Sequence, residues 1–574
     1  MQALKEIFQD MLDSMWEHYI IWSLFLTAAF IGLNFELFWI YREGEIFYTD
    51  TDCYTRAMRI TDWLQNFQWQ EKIFPYANPP HGFVLHFTRI CDVIWAFFTI
   101  PFLLFLPVKE AVFYGGMFFS PLFLALSLIS ILWGLRSYMP LFHNYKKFFF
   151  ILLVTSLFYL NKLSGIFDFS RPDHHSMMCF VFCFNLAVVL RTSIKHSIKE
   201  MLIAGILCGF GMWAASAIEG LFVVAMMLVV LSFNWIFYKH PIQDLLYYSL
   251  GLFLSVTFAW LVNPPYGGWG VYDINRLSII HTALTALIFI AYLVLSRFSL
   301  NSIKCKIFCL GAAAVLCALC MVLLFGTQNL FTSIYEEHVL KYFIPRVSEM
   351  QPFKHFTFET PSMVFGIIIM SAFLYFSRCK QLYVIDLALF FVMCLPVAQC
   401  VNRFYPYYLG LFVMISGLGL FILLDAAERK YAYKWVALFY IVLPFFYLAG
   451  FSVIPGHDKE PKMEGPVLVD LFRSPELLFW QNIDAVGSPY HTNVEGIIDN
   501  YTMWFTEDED ELKTLLKKHN VQMIYLPRKY AMVHYLRPRK NLKKLYAKVM
   551  LDKDVYPWME KVEDHVYRVN YDKF

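Results

Sequence analysis

Long apolar stretches separated by short polar segments recur along most of the chain. Because a membrane-spanning helix needs about 20 apolar residues, these stretches predict thirteen spans. They run over residues 18–40, 110–134, 147–163, 175–191, 201–217, 220–238, 244–262, 279–296, 307–326, 361–377, 382–400, 405–424 and 435–453. A shorter apolar stretch, 92–106, contains Pro101 and ends at Pro107, so we expect an interfacial or re-entrant helix there.

The basic residues between the spans predict the orientation of the chain. With a cytoplasmic N-terminus, the inner loops hold most of the Lys and Arg residues, whereas the short outer loops hold only Arg171, Arg276 and Arg403. This asymmetry follows the positive-inside rule, and a full span at 92–106 would reverse it. The outer face then receives the loops 41–109, 164–174, 263–278 and 327–360 and the segment from about residue 455.

The C-terminal segment differs in composition from the rest of the chain, because charged and polar residues become frequent there. Residues 511–518 have the pattern of an amphipathic helix, and residues 521–526 and 565–570 have the pattern of strands. We therefore predict an all-α polytopic membrane domain over residues 1–454. A small extracytoplasmic α/β domain follows over residues 455–574.

The overall composition agrees with this division. The chain is 59% hydrophobic and 16% charged, whereas about 25% of the residues in a soluble globular protein are charged. A net charge of only +2 gives no reason to expect nucleic-acid binding. Most of the twelve cysteines fall inside predicted spans, where a thiol is a small apolar side chain. Cys53 and Cys91 share an outer loop, but nothing in the sequence supports a bridge between them.

The first candidate site is an acidic motif that follows the first span, Asp50-Thr51-Asp52. Two carboxylates at positions i and i+2 can share a divalent cation, or act as a base and a metal ligand. The alternative is a solvated loop in which these acids pair with Arg56 and Arg59. The motif by itself does not decide between the two.

A second motif, Asp173-His174-His175, opens the fourth span and follows Arg171 and Pro172. An Asp in this position is also typical of a helix N-cap, and a histidine at a membrane interface can simply extend toward water. Against this alternative, an Asp and a His offer one oxygen and one nitrogen ligand beside a second acidic loop. That combination suits manganese, magnesium or zinc.

Three further charged residues lie at or near the predicted outer face. Glu349 lies on the long loop 327–360, and loops of this length are usually functional or mobile. Glu219 is an ionisable group at membrane depth, and burying such a group at the bilayer centre costs roughly 2–3 kcal/mol. It either supports the metal-binding or catalytic residues through a contact with them or faces lipid. Arg403 lies among aromatic residues, where it either pairs with the phosphate of a lipid or extends to the interface as an anchor.

His491 and Asn493 follow Pro489-Tyr490 near the start of the C-terminal domain. A turn is the default expectation for such a segment. A functional role for these two side chains is the alternative.

Taken together, these motifs resemble the catalytic subunit of oligosaccharyltransferases and related GT-C membrane glycosyltransferases. The matching segments are Asp52-Cys53-Tyr54, Asp173-His174-His175, Val347-Ser348-Glu349 and Arg403 to Tyr408. The similarity covers residues 18–455 in layout but only short stretches in sequence. Residues 488–496 resemble an uncharacterised bacterial branch with the same membrane architecture.

The resemblance implies a site and an activity. The activity is transfer of a sugar or oligosaccharide from a polyprenyl-(di)phosphate donor to a protein, lipid or glycan acceptor at the extracytoplasmic membrane face. A divalent metal (Mn²⁺ or Mg²⁺, with Zn²⁺ as an alternative) would be held by Asp52, Asp173 and His175. Catalysis would involve Asp50, Asp52 and Glu349. The donor's phosphate would be bound by Arg403 and Arg171. His174, Glu219, His491 and Asn493 would have secondary roles.

One departure from the family concerns the acceptor. The Trp-Trp-Asp motif of the family is absent from the C-terminal segment, and Phe479-Trp480-Gln481 does not match it. Three alternatives stay open: a transferase that moves one sugar from a polyprenyl monophosphate, a flippase or transporter of lipid-linked glycans, and an inactive scaffold. Because the polar groups gather at one face and no repeat is visible, we favour an enzyme, in a bacterial inner membrane or alternatively in the endoplasmic reticulum.

Overall fold

The computed structural model describes most of the chain. The described residues are 17–41, 46–70, 72–137, 165–215, 219–331, 347, 367, 371, 382–412, 414–415, 461–527 and 544–574. The predicted spans 147–163, 361–377 and 435–453 lie wholly or largely outside them, and so does the second half of the span 405–424.

Apolar helices dominate the chain before the C-terminal domain. In chain order, its helices and strands are α1 (Tyr19–Tyr41), α2 (Thr51–Asn66), β1 (Ile73–Phe74), β2 (Phe83–Val84), α3 (Arg89–Thr99), α4 (Val108–Gly116), α5 (Phe119–Arg136), α6 (His174–Thr192), α7 (Ile198–Ala214), α8 (Leu221–Phe237), α9 (Gln243–Val262), α10 (Ile279–Leu295), α11 (Ile303–Phe331) and α12 (Leu382–Cys400). Within the described ranges, four helical segments are long and apolar enough to cross a membrane: Val108–Arg136, His174–Thr192, Gln243–Val262 and Ile303–Leu330.

The short apolar stretch near residue 100 forms α3, a helix of 11 residues. At 1.5 Å per residue it is about 16 Å long, roughly half the thickness of the hydrocarbon core. Its Trp95 donates a hydrogen bond to the carbonyl of Val112 at 2.7 Å, which ties α3 to α4. This helix is too short to cross the core alone, and its interfacial or re-entrant placement stays a prediction.

Close helix packing in the membrane part depends on small residues. Gly205 on α7 faces α9, where a Cβ atom would lie 2.9 Å from the backbone nitrogen of Leu252 and closer still to the carbonyl oxygen of Tyr248. Small residues allow two helix backbones to approach in this way, because no side chain separates them. This contact brings the middle of α7 close to the backbone of α9.

The first acidic motif begins a helix and does not form a solvated loop. Asp50 is the N-cap of α2, and its side chain accepts a hydrogen bond from the backbone N–H of Asp52 at 3.1 Å. Arg56 and Arg59 contact the fully buried carboxylate of Asp92 on α3, at 3.2 and 3.1 Å. The solvated loop is therefore wrong, because the motif forms the cap and the first turn of a helix.

The C-terminal domain is a small α/β unit. Its elements are β3 (Val467–Leu468), α13 (Ser474–Gln481), α14 (Val494–Phe505), α15 (Glu509–Lys518), β4 (Met523–Tyr525), α16 (Leu545–Leu551), β5 (Met559–Glu563) and β6 (Val566–Val569). The sheet order is β3-β4-β6-β5, with β3 and β4 parallel and the other pairs antiparallel. The predicted helix 511–518 falls on α15, and the two predicted strands fall on β4 and β6.

This domain packs on the loop between α2 and α3. The backbone of Ala485 exchanges hydrogen bonds with Tyr76 and Asn78, each at 3.0 Å. The imidazole of His519 contacts the carbonyl oxygen of Pro79 at 2.6 Å. The hydroxyl of Tyr490, shortly before α14, reaches Thr55 in the first turns of α2 at 2.7 Å.

Cys53 and Cys91 are both buried free thiols. The structure therefore contains no bridge between them.

Candidate functional site

The two acidic motifs of the sequence meet in the folded chain. The backbone N–H of Thr49 donates to the carbonyl of Ser170 at 3.0 Å. Close by, the guanidinium of Arg171 pairs with the Asp50 carboxylate at 2.7 Å. Because a direct hydrogen bond and an ion pair join the segments, the start of α2 and the start of α6 form one surface. The ion pair with Asp50 partly neutralises the charge of Arg171. Phosphate binding by Arg171 stays a prediction.

Asp173 serves as a helix cap and also presents one carboxylate oxygen to the site. It is the N-cap of α6, and its Oδ1 accepts from the backbone N–H of His174 at 2.6 Å and contacts the ring Nδ1 of His174 at 2.5 Å. Its Oδ2 is buried and has no hydrogen-bond partner among the described residues. The two interpretations of this residue are therefore compatible, since capping uses only one of its oxygens.

His175 lies between two carboxylates. Its Nε2 is 3.4 Å from Asp173 Oδ2, and its Nδ1 is 3.2 Å from Glu219 Oε1. With the proton assigned to Nδ1, Glu219 accepts a hydrogen bond and directs the Nε2 lone pair toward Asp173. A carboxylate behind a histidine in this arrangement is the usual way to orient a metal-binding imidazole.

Glu219 is a buried centre of the site and does not face lipid, so that alternative is wrong. Only 1% of the residue is exposed, and its carboxylate accepts hydrogen bonds from Arg403 Nε and from the Tyr407 hydroxyl. A buried carboxylate needs such partners to offset its desolvation. Glu219 thus joins His175 on α6 to the segment that follows α12.

Arg403 belongs to the site rather than to an aromatic belt. Besides its bond to Glu219, its Nη2 is 2.9 Å from His174 Nε2. About a fifth of its side chain is exposed. A guanidinium has five N–H donors in a fixed plane, so Arg403 can hold Glu219 and still present charge to an anion on its exposed side.

Asp52 is held by the C-terminal domain. The hydroxyl of Tyr490 donates to Thr55 Oγ1 at 2.7 Å and also interacts with the Asp52 carboxylate. Burial and the charge of Asp52 raise the pKa of Tyr490 well above its usual value. The first turn of α2 is therefore held by a residue of the C-terminal segment.

Electrostatics also relates Asp52 to the second motif. Burial raises the pKa of the Cys53 thiol, and the charges of Asp50, Asp173 and Asp52 raise it further. The charges of both acidic motifs therefore act on the same buried thiol.

Two histidines from separate segments line the site. The rings of His86 and His491 are 4.6 Å apart, centre to centre. Burial lowers the pKa of His86 well below its usual value, with smaller contributions from His491, His174 and Arg403. Burial and then Arg403 lower the pKa of His491 to about 4. Both rings are therefore neutral at pH 7. His86 was missed in the sequence, where it is an isolated histidine in an apolar segment.

The remaining predicted residues have different outcomes. Asn493 begins α14 and donates to Ser488 Oγ at 3.3 Å, so it stabilises the predicted turn. Glu349 lies outside the described residues. Its neighbour Val347 packs against Leu471 and Ile497 of the C-terminal domain.

The donor set fits a divalent metal. Metal–ligand bonds of about 2.0–2.2 Å place two neighbouring ligand atoms about 3–3.5 Å apart, and Asp173 Oδ2 and His175 Nε2 are 3.4 Å apart. The unpartnered oxygen of Asp173 gives a reason for a cation at this point, because a buried carboxylate oxygen without a hydrogen bond is costly. The third ligand predicted from the sequence, Asp52, stays a prediction.

Comparisons with known proteins identify the fold. No protein-family model matches the chain, and no curated protein matches it. Solved structures of archaeal oligosaccharyltransferase from Archaeoglobus fulgidus are similar. The AglB complex with an inhibitory peptide and a dolichol-phosphate has a TM-score of 0.63 and 15% identity, over 91% of this chain and 72% of that chain. The apo form has a TM-score of 0.64 and 14% identity, over 88% and 68%. The complex with Zn and sulfate has a TM-score of 0.60 and 15% identity, over 88% and 67%.

Proposed function

We propose that this chain, which has the fold of archaeal oligosaccharyltransferases, is a membrane glycosyltransferase. It transfers a sugar or oligosaccharide from a polyprenyl-(di)phosphate donor to a protein, lipid or glycan acceptor at the extracytoplasmic face. The observation that carries the proposal is the convergence of Asp173, His175, Glu219 and Arg403 in one buried site beside the acidic start of α2. A purely structural helix bundle would have no use for so many buried charges.

The donor's phosphate is expected at Arg403. Arginine suits phosphate because its planar donors match two phosphate oxygens at once. Glu219 and His174 hold the guanidinium from one side, so the exposed side is oriented before the donor arrives. In the comparison structures a dolichol-phosphate is bound in one case and a sulfate in another, which is consistent with an anion site in this fold.

Asp173 and His175 would hold a divalent metal, with Asp52 as the predicted third ligand. When bound, such a cation neutralises the negative charge that develops on the leaving phosphate. Glu219 acts as a positioning residue, because it fixes the imidazole of His175 and the guanidinium of Arg403 through the same carboxylate.

The chemical step is a single displacement. The acceptor's nucleophilic atom forms a bond to the anomeric carbon while the bond from that carbon to the phosphate oxygen breaks. The electron pair of the broken bond stays on the phosphate, and the acceptor's proton goes to a carboxylate, for which Asp52 is the first candidate and Glu349 the second. Attack from the side opposite the leaving group inverts the anomeric configuration. Arg403 stabilises the phosphate as it leaves.

The test uses cells that lack the gene and measures their polyprenyl-linked sugars by mass spectrometry. Complementation with the unaltered chain should clear the lipid-linked glycan that accumulates, whereas Asp52→Ala and Asp173→Ala should leave it in place. Asp62→Ala is the matched control, because Asp62 is an acid on the same helix that pairs with Lys72 away from the site.

Equal clearance by Asp173→Ala and by the unaltered chain would overturn the proposed site. If no lipid-linked glycan accumulates in the absence of the gene, the proposed substrate class is wrong. A flippase would be favoured if the donor accumulates on the inner leaflet of cells that lack the gene and reaches the outer leaflet chemically intact in the complemented cells.

A further inference from the structure

A second group of metal-ligating side chains lies at the opposite end of the helices from Asp173. His196 lies in the turn between α6 and α7, and His240 lies in the turn between α8 and α9. Asp244 is in the first turn of α9. Because α6 has 19 residues, which is about 28 Å of helix, the two groups are separated by roughly the thickness of a membrane core.

The three side chains converge on one carboxylate oxygen. Nδ1 of His196 is 3.3 Å and Nδ1 of His240 is 3.5 Å from Oδ2 of Asp244. One ligand atom from each residue lies within 4.8 Å of the others. The two nitrogen–oxygen distances agree with neighbouring ligand atoms on a single metal, which are about 3–3.5 Å apart for bonds of about 2.0–2.2 Å.

The carboxylate at the centre of this group is buried and contacts both imidazoles through one oxygen. Asp244 is 3% exposed, and its Oδ2 is buried without a hydrogen bond of normal geometry. An acid in the first turn of a helix is favoured by the helix dipole, but that effect does not require two imidazoles at the same oxygen. A buried carboxylate oxygen that forms no hydrogen bond is costly, and a cation held between it and the two imidazoles would offset that cost.

A second buried carboxylate lies close to the same turns. Asp386 on α12 is fully buried. Its Oδ2 accepts a hydrogen bond at 3.0 Å from Ser193 Oγ, which lies in the turn that carries His196. Its Oδ1 has no hydrogen bond in the described part of the chain. The backbone N–H of His240 donates to the carbonyl of Asn234 at 3.3 Å, which fixes the other turn. Asp386 therefore lies directly against the turn that carries His196.

We propose that His196, His240 and Asp244 form a second metal site, which takes a divalent transition metal of the zinc class. Two imidazole nitrogens and one carboxylate oxygen suit such an ion, and water would complete the coordination. The ion would join the α6–α7 turn to the α8–α9 turn, so its role is to clamp two helix pairs at the end of the bundle remote from the catalytic site. This proposal does not depend on the proposed transferase activity.

The experiment uses the full chain in detergent, freed of any histidine tag, with Co²⁺ as the probe. The His175→Gln background weakens the other candidate site, so bound Co²⁺ reports mainly on this one. We expect one equivalent of Co²⁺ with the visible absorption of a low-symmetry site. His196→Gln and Asp244→Asn each remove a proposed ligand, so both variants should lose the bound Co²⁺ and its absorption. His18→Gln, an exposed histidine elsewhere, should retain it.

His196 is about half exposed, so its substitution leaves the core intact and the protein folded. Zn²⁺ should also raise the thermal unfolding midpoint of the parent and leave that of His196→Gln unchanged. Equal Co²⁺ binding by His196→Gln and His18→Gln would overturn the proposal. An absence of Co²⁺ binding in the parent would do the same, and would mean that the three side chains form a hydrogen-bonded cluster only.

Discussion

Glu219 is the residue on which the organisation of the site depends most directly. Its carboxylate contacts His175 Nδ1, Arg403 Nε and the Tyr407 hydroxyl. Glu219→Gln keeps the side-chain volume but removes the charge and one acceptor oxygen. We expect the variant to fold, to bind metal more weakly, and to transfer glycan slowly.

The size of the effect follows from burial. Removing one partner of a buried ion pair costs about 3–5 kcal/mol. Because Arg403 keeps about a fifth of its side chain exposed, solvent screens part of its charge, and the amide of Gln still packs in the same space. We therefore expect a loss of stability on the order of 2–3 kcal/mol. The loss of the carboxylate behind His175 should lower metal affinity or activity by about 10–100-fold.

The assay is metal-dependent transfer by the purified chain, measured as a function of metal concentration. Glu219→Gln should require a higher metal concentration for half-maximal activity. Glu200→Gln is the matched control, because Glu200 forms the same type of ion pair with Arg191, at 3.0 Å, at the other end of α6. If both variants show the same metal dependence as the unaltered chain, Glu219 does not position His175 and the reasoning fails.

Two further predictions concern stability. Burial raises the pKa of Asp470 to about 7. Between about pH 4 and pH 7 the folded chain therefore keeps a proton that the unfolded chain releases, so the free energy of unfolding should fall as the pH rises through this range. Asp470→Asn should remove this pH dependence from the thermal unfolding of the C-terminal domain. Gly205→Ala should lower the free energy of unfolding by about 1–3 kcal/mol, because the added Cβ meets the backbone of Leu252 on α9 and no rotamer change can relieve that clash. Gly311→Ala on α11 is the control: its added Cβ meets nothing within 4 Å, so the unfolding midpoint should stay unchanged or rise slightly.

Hydropathy was sufficient for much of the helical layout. The predicted span 244–262 differs by one residue at its start from α9, and the span 279–296 by one at its end from α10. Such agreement is expected, because a helix that crosses lipid must satisfy its backbone internally and its length is set by the bilayer. In the same way, Asp173 at the start of a span was predictable as a cap, since capping is a local interaction.

The organisation of the site could be predicted only in part. The sequence by itself determined which polar residues lie near the ends of apolar segments. Because successive spanning helices run in opposite directions, every second loop lies at the same face. It identified Asp173, His175 and Arg403 as candidates, but it left the role of Glu219 open and did not identify His86. Only the tertiary structure decided that Glu219 lies against Arg403, 184 residues away, and that Arg56 turns to Asp92. These partners are chosen by packing between distant helices, and local sequence patterns carry no record of that packing.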